Sequence, residues 1–379
     1  MGISSNLLAS MYKGWPVINR EATGFVSALN IDSDVTGLAV GDKIKVFRGD
    51  VGAVKAYTQG MAMPDENDPN MPYVEVTLDH PISTTFSFTG EEEHALVNSS
   101  TRETAMDMLF KDSFRKLSFD IEKYAAGKII AGSRAYGTAG TTPFGTANNL
   151  TDFAQVNKIL DDNGCPKDGR QLVLSNEALA NLRGNMSNLF KVNEAGTEMF
   201  LREGYAGSVQ GLFIRNSAGL LTHEKGTGSG YLVNGAVAVN GTSIALDTGS
   251  GKIVPGDIVT FGSDTNKYVV DEGIEAAGNI VIGNPGALNA IADNAAVTIG
   301  ASYTPNIAFQ KDSVAFGARP PKIPQGGDGA IWHETVTDPY TGIPYLVSCY
   351  PGHGKNVIEV ATIVGCKVIE SANVAVLLG

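Results

Sequence analysis

The stretch Ala245-Leu246-Asp247-Thr248-Gly249-Ser250 sets an aspartate behind two apolar residues and ahead of Thr-Gly, the local pattern of an aspartic protease. That chemistry needs two carboxylates sharing one proton, because like charges held that close cannot both ionise. One chain supplies one such triplet, so an enzyme would need a symmetric dimer. The residues that follow, Gly251-Lys252 and then Ile253 to Phe261 through Pro255-Gly256-Asp257, put a charge and a turn where a buried active-site strand should continue. Asp-Thr-Gly-Ser-Gly is also turn chemistry, with glycine supplying positive φ and the aspartate capping nearby backbone. The flanks VAVNGTSIAL and KIVPGDIVTF have strand character, so Asp247 is expected in a β-hairpin turn rather than in a catalytic pair.

Other chemical patterns are weaker. Pro351-Gly352-His353-Gly354-Lys355-Asn356 resembles the end of a phosphate loop, but Cys349 stands where the first glycine is required and Asn356 where Ser or Thr should bind magnesium. Gly226-Thr227-Gly228-Ser229-Gly230 leads into a strand, not a helix, which removes the dinucleotide reading. His80, His94, His223, His333 and His353 show no zincin spacing and are expected as surface or loop residues. Glu91-Glu92-Glu93 lacks calcium-loop spacing and reads as a solvated turn. Trp15 and Trp332 read as packing residues. The expectation is a protein without catalytic residues, cofactor or metal, and not an enzyme.

The chain has 379 residues, 45 of them glycine, with 18% charged residues and a formal net charge of −12. That composition suits a β-rich, loop-rich protein with much buried surface. The negative charge argues against sequence-specific nucleic-acid binding, which uses a basic face. Cys165, Cys349 and Cys366 are odd in number and far apart, so a reducing compartment is expected rather than a disulfide framework. Neither a signal peptide, a membrane span nor a myristoylation signal is read at the start of the sequence.

These residues need elements to hold them. Residues 1–40 read as an arm with a first strand, GFVSALNI. Residues 41–98 read as a long extended β excursion, interrupted by the acidic, proline-rich stretch MAMPDENDPNMP, in which Asp65, Glu66 and Asp68 are exposed. Ser100-Thr101-Arg102-Glu103 forms a capping box. Behind it Met106, Phe110, Phe114, Leu117, Ile121 and Tyr124 recur in steps of four and three, one face of an amphipathic helix running to roughly Gly132. Lys111, Arg115, Lys116, Glu122 and Lys123 sit off that stripe. An α/β passage follows over 144–222, with helices at 150–162 and from 177, and a strand at 171–175. Residues 223–302 are rich in Gly, Val, Ile, Asn and Asp and read as a small antiparallel barrel inserted in a host that resumes over 303–329. Residues 330–379 read as terminal strands at 345–349, 356–364 and 367–378.

This order of parts resembles the major capsid protein of a tailed double-stranded DNA phage, with the Hong Kong 97-type fold, and more closely the phage P twenty-two type coat proteins with an insertion domain. The segments that carry the resemblance are FRKLSFDIEKYAA at 114–126, LTDFAQVNKILDDNGCPKDGRQLVLSNEALANL at 150–182, and YTPNIAFQKDSVAFGARPP at 303–321. It implies an α+β fold with a spine helix (99–143), an extended loop reaching a neighbouring subunit through Asp65, Glu66 and Asp68, an axial domain, and a peripheral domain completed by the terminal strands. It further implies self-assembly into hexamers and pentamers in the bacterial cytoplasm. A scaffolding protein, a portal and enclosed double-stranded DNA without sequence-specific binding go with it, and no membrane. An encapsulin-like compartment shell and a β-rich surface adhesion protein are the alternatives.

Overall fold

The computed structural model describes residues 24–32, 41, 43–47, 73–92, 94, 102–185, 207–338 and 341–379. The excursion holds strands β2 (Lys43–Phe47) and β3 (Tyr73–Thr77), paired antiparallel; β1 (Ile31–Asp32) precedes them and β4 (His80–Thr89) follows. GFVSALNI is a turn rather than a strand, and only Ile31–Asp32 pairs. Helix α1 (Arg102–Ile129) is 28 residues long, about 42 Å at 1.5 Å per residue. Ser100 and Thr101 of the capping box lie outside the described residues, as do Trp15 and the acidic stretch with Asp65, Glu66 and Asp68.

The chain continues through β5 (Arg134–Tyr136), α2 (Thr151–Asp162), β6 (Arg170–Leu174), α3 (Asn176–Asn185), β7 (Ser208–Val209) and β8 (Leu212–Asn216). Then come β9 (Leu232–Val233), β10 (Ser243–Asp247), β11 (Ile258–Phe261), β12 (Lys267–Glu272), β13 (Gly278–Ile282) and β14 (Val297–Ile299). The last strands are β15 (Pro305–Gln310), β16 (Val314–Arg319), β17 (Trp332–Thr337), β18 (Pro344–Gly352), β19 (Lys355–Val368) and β20 (Val374–Leu378).

β19 is the platform beneath α1. Along one edge it pairs with β4, and along the other with β18 and then β16. The sequence suggests a break near Gly365-Cys366, yet the strand runs through it. A Cβ at Gly365 would lie 2.3 Å from the Thr77 carbonyl oxygen, so glycine allows the end of β3 to cross the strand closely. β4 belongs to this sheet rather than to the excursion. Its alternation turns Ile82, Phe86 and Phe88 toward α1, where the Phe86 and Phe110 rings meet edge-to-face at 5.0 Å.

The second sheet runs β7-β8-β6-β15-β20-β5-β12. Its central strands are buried on both faces, which explains their continuous apolar runs. Leu172, Leu174, Ala308, Ala375 and Leu377 face α2 and α3 through Phe153, Val156, Leu160 and Leu182. Val173, Ile307, Phe309 and Val374 face the other way, into the α1 cluster. β20 therefore lies at the heart of this sheet, antiparallel to β15 and parallel to β5, and not with the other terminal strands. Its VAVLL run has no polar position to face water.

Strands β9 to β14 share their own core, including Tyr231, Ile244, Leu246, Phe261, Tyr268 and Ile280. Pairing runs β9-β10-β13-β12-β11-β14 and returns to β9 through the Leu232–Ala296 bridge, with Val233 N–H donating to Ala295 at 3.0 Å. Ile258 and Val269 point outward and pack on Ile130, Tyr303 and Val376 of the host.

Candidate functional site

Of the stripe along α1, Phe110 and Ile121 are fully buried, Met106, Phe114 and Leu117 nearly so, and all five join the core shared with β4 and β19. Tyr124 is partly buried and does more than pack. Its hydroxyl donates to Asp79 and accepts from the Cys366 N–H at 3.3 Å. Lys128 reaches Asp79 at 3.0 Å. His80 stacks on the Tyr124 ring at 4.4 Å and its Nε2 lies 2.7 Å from Asp120. These groups clamp the junction between β3 and β4 to three successive turns of α1. Burial opposes the charge on Asp79, but the Tyr124 hydroxyl and Lys128 outweigh it and hold its carboxyl below the usual range. Burial pushes the Tyr124 phenol far above its ordinary value, and the Cys366 thiol up to about 12.

Glu122 is a second polar joint, and it is fully buried. Its Oε1 accepts the N–H groups of Gly24 at 2.7 Å and Phe25 at 2.8 Å, and its Oε2 that of Val26 at 3.1 Å. Phe25 is fully buried and stacks on Phe309. The carboxylate thus fixes the 24–30 segment between α1 and the second sheet. Burial raises its pKa; the Ser217 hydroxyl and the three N–H donors act in the opposite direction without cancelling that effect. Glu122 sits off the main stripe and is buried all the same. The signal was a second line of small or apolar residues, Ser118, Ala125, Ala126 and Ile129, on Glu122's side of the helix.

The third joint is the root of the β9–β14 module. His223 and Tyr303 bridge the chain where it leaves the host and where it returns, with N–H···O distances of 2.8 and 3.2 Å. Buried Asp257 accepts His223 Nε2 at 2.9 Å, Val254 N–H at 2.9 Å and Gly226 N–H at 3.1 Å. The Tyr303 hydroxyl donates to the Gly256 carbonyl at 2.7 Å. Gly256 has φ of +92°, and any Cβ there would press on His223 and Ile130. His80, His223 and His333 are all set against acids rather than loose on the surface; His333 Nε2 lies 3.1 Å from Asp328.

Asp247 ends β10, and Thr248 turns the chain with φ of +63°. Its carboxylate accepts the Thr248 hydroxyl at 2.9 Å. The turn is not a hairpin, since β10 pairs with β13 and β9 rather than with β11. Among the described residues no group of three or more His, Cys, Asp or Glu could hold a metal, and no helix is long and apolar enough to cross a membrane.

A 28-residue helix on a long strand, a second sheet with helices on one face, and a β module rooted in that sheet make up the described fold. A chain from the structure described as "Mycobacterium phage Che8" superposes with a TM-score of 0.51 at 15% identity, over 94% of this chain and 91% of that one. Another, from "Capsid structure of the Cyanophage P-SCSP1u", gives a TM-score of 0.49 at 11% identity, over 94% and 88%. Residues 92–257, from ahead of α1 into the module, match the family model described as "P22 coat protein - gene protein 5". The family match spans less than half of the chain, and together with the fold it supports a tailed-phage major capsid (coat) protein, a structural class. The curated proteins offered no match.

Proposed function

We propose that this chain is the repeating subunit of an icosahedral shell that assembles as a scaffold-dependent procapsid in the host cytoplasm, around a portal, and later encloses double-stranded DNA. The family match across α1, the axial helices and the first half of the module carries this reading. In it, α1 with β4 and β16–β19 forms the peripheral domain, and α2, α3, β6 and β15 the axial domain. Residues 223–302 form an inserted barrel that braces the subunit. The β2–β3 hairpin and residues 48–72 reach a neighbour. The net charge of −12 keeps the wall from holding the genome tightly, so DNA is enclosed and not bound. Physics is compatible with a shell, since repeated interfaces of standard size suffice to stabilise one.

Electron microscopy of the protein expressed alone and together with a co-encoded scaffolding protein tests this. Closed shells of uniform curvature, better formed with the scaffold, are expected. A lone monomer or dimer under every condition, or shells that load a cargo enzyme in place of DNA, would overturn it.

A further inference from the structure

We propose that a cleft between α2 and the 264–267 turn of the module receives acidic side chains from residues 61–72 of a second copy of this chain; the inference rests on the shell reading above. The cleft has a volume of about 360 Å³ and is lined by Arg134, Lys158, Lys267 and one carboxylate, Asp162. Three cations thus face one acid in a chain with a net charge of −12.

Arg134 carries the strongest indication. It is 6% exposed. Its Nη2 donates to the Asn163 side chain at 3.0 Å and the Ile159 carbonyl at 3.4 Å, and stands 3.6 Å from Asp162. Its Nε is buried without a hydrogen-bond partner. A buried guanidinium with an unpartnered Nε is an expensive arrangement, and its planar fork suits a carboxylate. Lys158 is exposed and makes no ion pair among the described residues, and Lys267 is spent on the Gly137 carbonyl rather than on an acid.

The occupant follows from charge and reach. Residues 61–72 carry Asp65, Glu66 and Asp68 with no Lys or Arg. They continue from the β2–β3 hairpin, whose described outer end presents Phe47, 63% exposed, against Tyr73. Each half of residues 48–72 can span at most about 40 Å. A shell sets copies side by side in one repeated arrangement, so a single such pairing would recur at every subunit. Duplex DNA fits less well: phosphate binding draws on a run of cations along a groove, whereas this is one pocket with a carboxylate in its wall.

The test uses shells assembled from a mixture of nitrogen-14 and nitrogen-15 chains, treated with a zero-length carbodiimide and read by mass spectrometry. Cross-links from Lys158 or Lys267 to Asp65, Glu66 or Asp68, with mixed isotopes across the link, are expected. Links only within one isotope would place the contact inside one chain and overturn the proposal. In parallel, Lys158→Glu with Lys267→Glu should cut shell yield about tenfold or more, and adding Asp65→Lys with Glu66→Lys should restore it. Lys158→Glu alone, at a side chain without an ion pair among the described residues, should also cut shell yield while the soluble subunit keeps its unfolding midpoint, whereas Lys267→Glu also removes the bond to the Gly137 carbonyl and lowers that midpoint. Unchanged assembly without cross-links overturns the docking, as does unchanged assembly with reduced DNA retention, which would point to phosphate. Failure of the wild-type chain to form shells would remove the shell reading and the docking with it.

Discussion

Replacing Glu122 by alanine strands three buried backbone N–H groups, those of Gly24, Phe25 and Val26, which donate to the carboxylate at 2.7–3.1 Å. A buried donor left without a partner costs about 1–3 kcal/mol, so three set a range of about 3–9 kcal/mol. The shortened side chain leaves room for a water that satisfies some of them, which brings the expected loss to about 3–5 kcal/mol. Glu122→Gln keeps one oxygen for Gly24 and Phe25 but turns an NH₂ group toward Val26, so about 1–3 kcal/mol is expected there. The assay is urea unfolding of the soluble subunit, paired with hydrogen exchange at residues 24–30. The alanine variant should lower the midpoint and expose that segment at times when α1 is still protected. An alanine variant within about 0.5 kcal/mol of wild type, with residues 24–30 exchanging no faster, would refute the claim that this carboxylate holds the segment.

Asp257→Ala removes the acceptor of the Gly226 and Val254 N–H groups and the partner of His223; a loss of about 2–6 kcal/mol and faster exchange within residues 223–302 are expected from calorimetry and hydrogen exchange. The Asp79 clamp should loosen in acid. Its carboxyl is held below the usual range, so its contribution is present above the unfolded value and is lost as pH falls through the folded one; proteolysis near residues 77–80 should rise there and not at alkaline pH. Asp247→Asn should leave stability within about 0.5 kcal/mol and shell formation unchanged, and pepstatin-sensitive proteolysis by the pure protein would contradict that.

Much of the architecture was legible because burial imposes period. The α1 stripe from Met106 to Ile121 follows the helical repeat, and Ile244, Leu246, Ile280 and Ile282 alternate as a one-sided strand does. What escaped the sequence were features set by contacts distant along the chain. VAVLL at 374–378 reads as a buried strand wherever it lies, and nothing local says it pairs with β5 and β15. β4 alternates like an outlying hairpin arm, and only the aromatic surface of α1 draws it into the main sheet. Glu122, Asp257, His80 and His223 look like ordinary polar residues, because the groups that satisfy them lie 31 to 98 positions away or on another element. A charged residue in a helix carries no local mark that tells a solvated side chain from a backbone anchor.

The place of β20 has a consequence for the timing of synthesis. The ribosome delivers residues 374–378 after every other element described, yet they fill the gap between β15 and β5. Until they emerge, α2 and α3 lack part of their floor, and β5, with the module strand beside it, has no neighbour linking it to β15. A nascent chain therefore cannot complete its second sheet ahead of time, and a product that stops short of β20 never acquires a finished one. The centre of the sheet thus comes from the last strand described, and a chain cut before it leaves the facing edges of β15 and β5 without their partner.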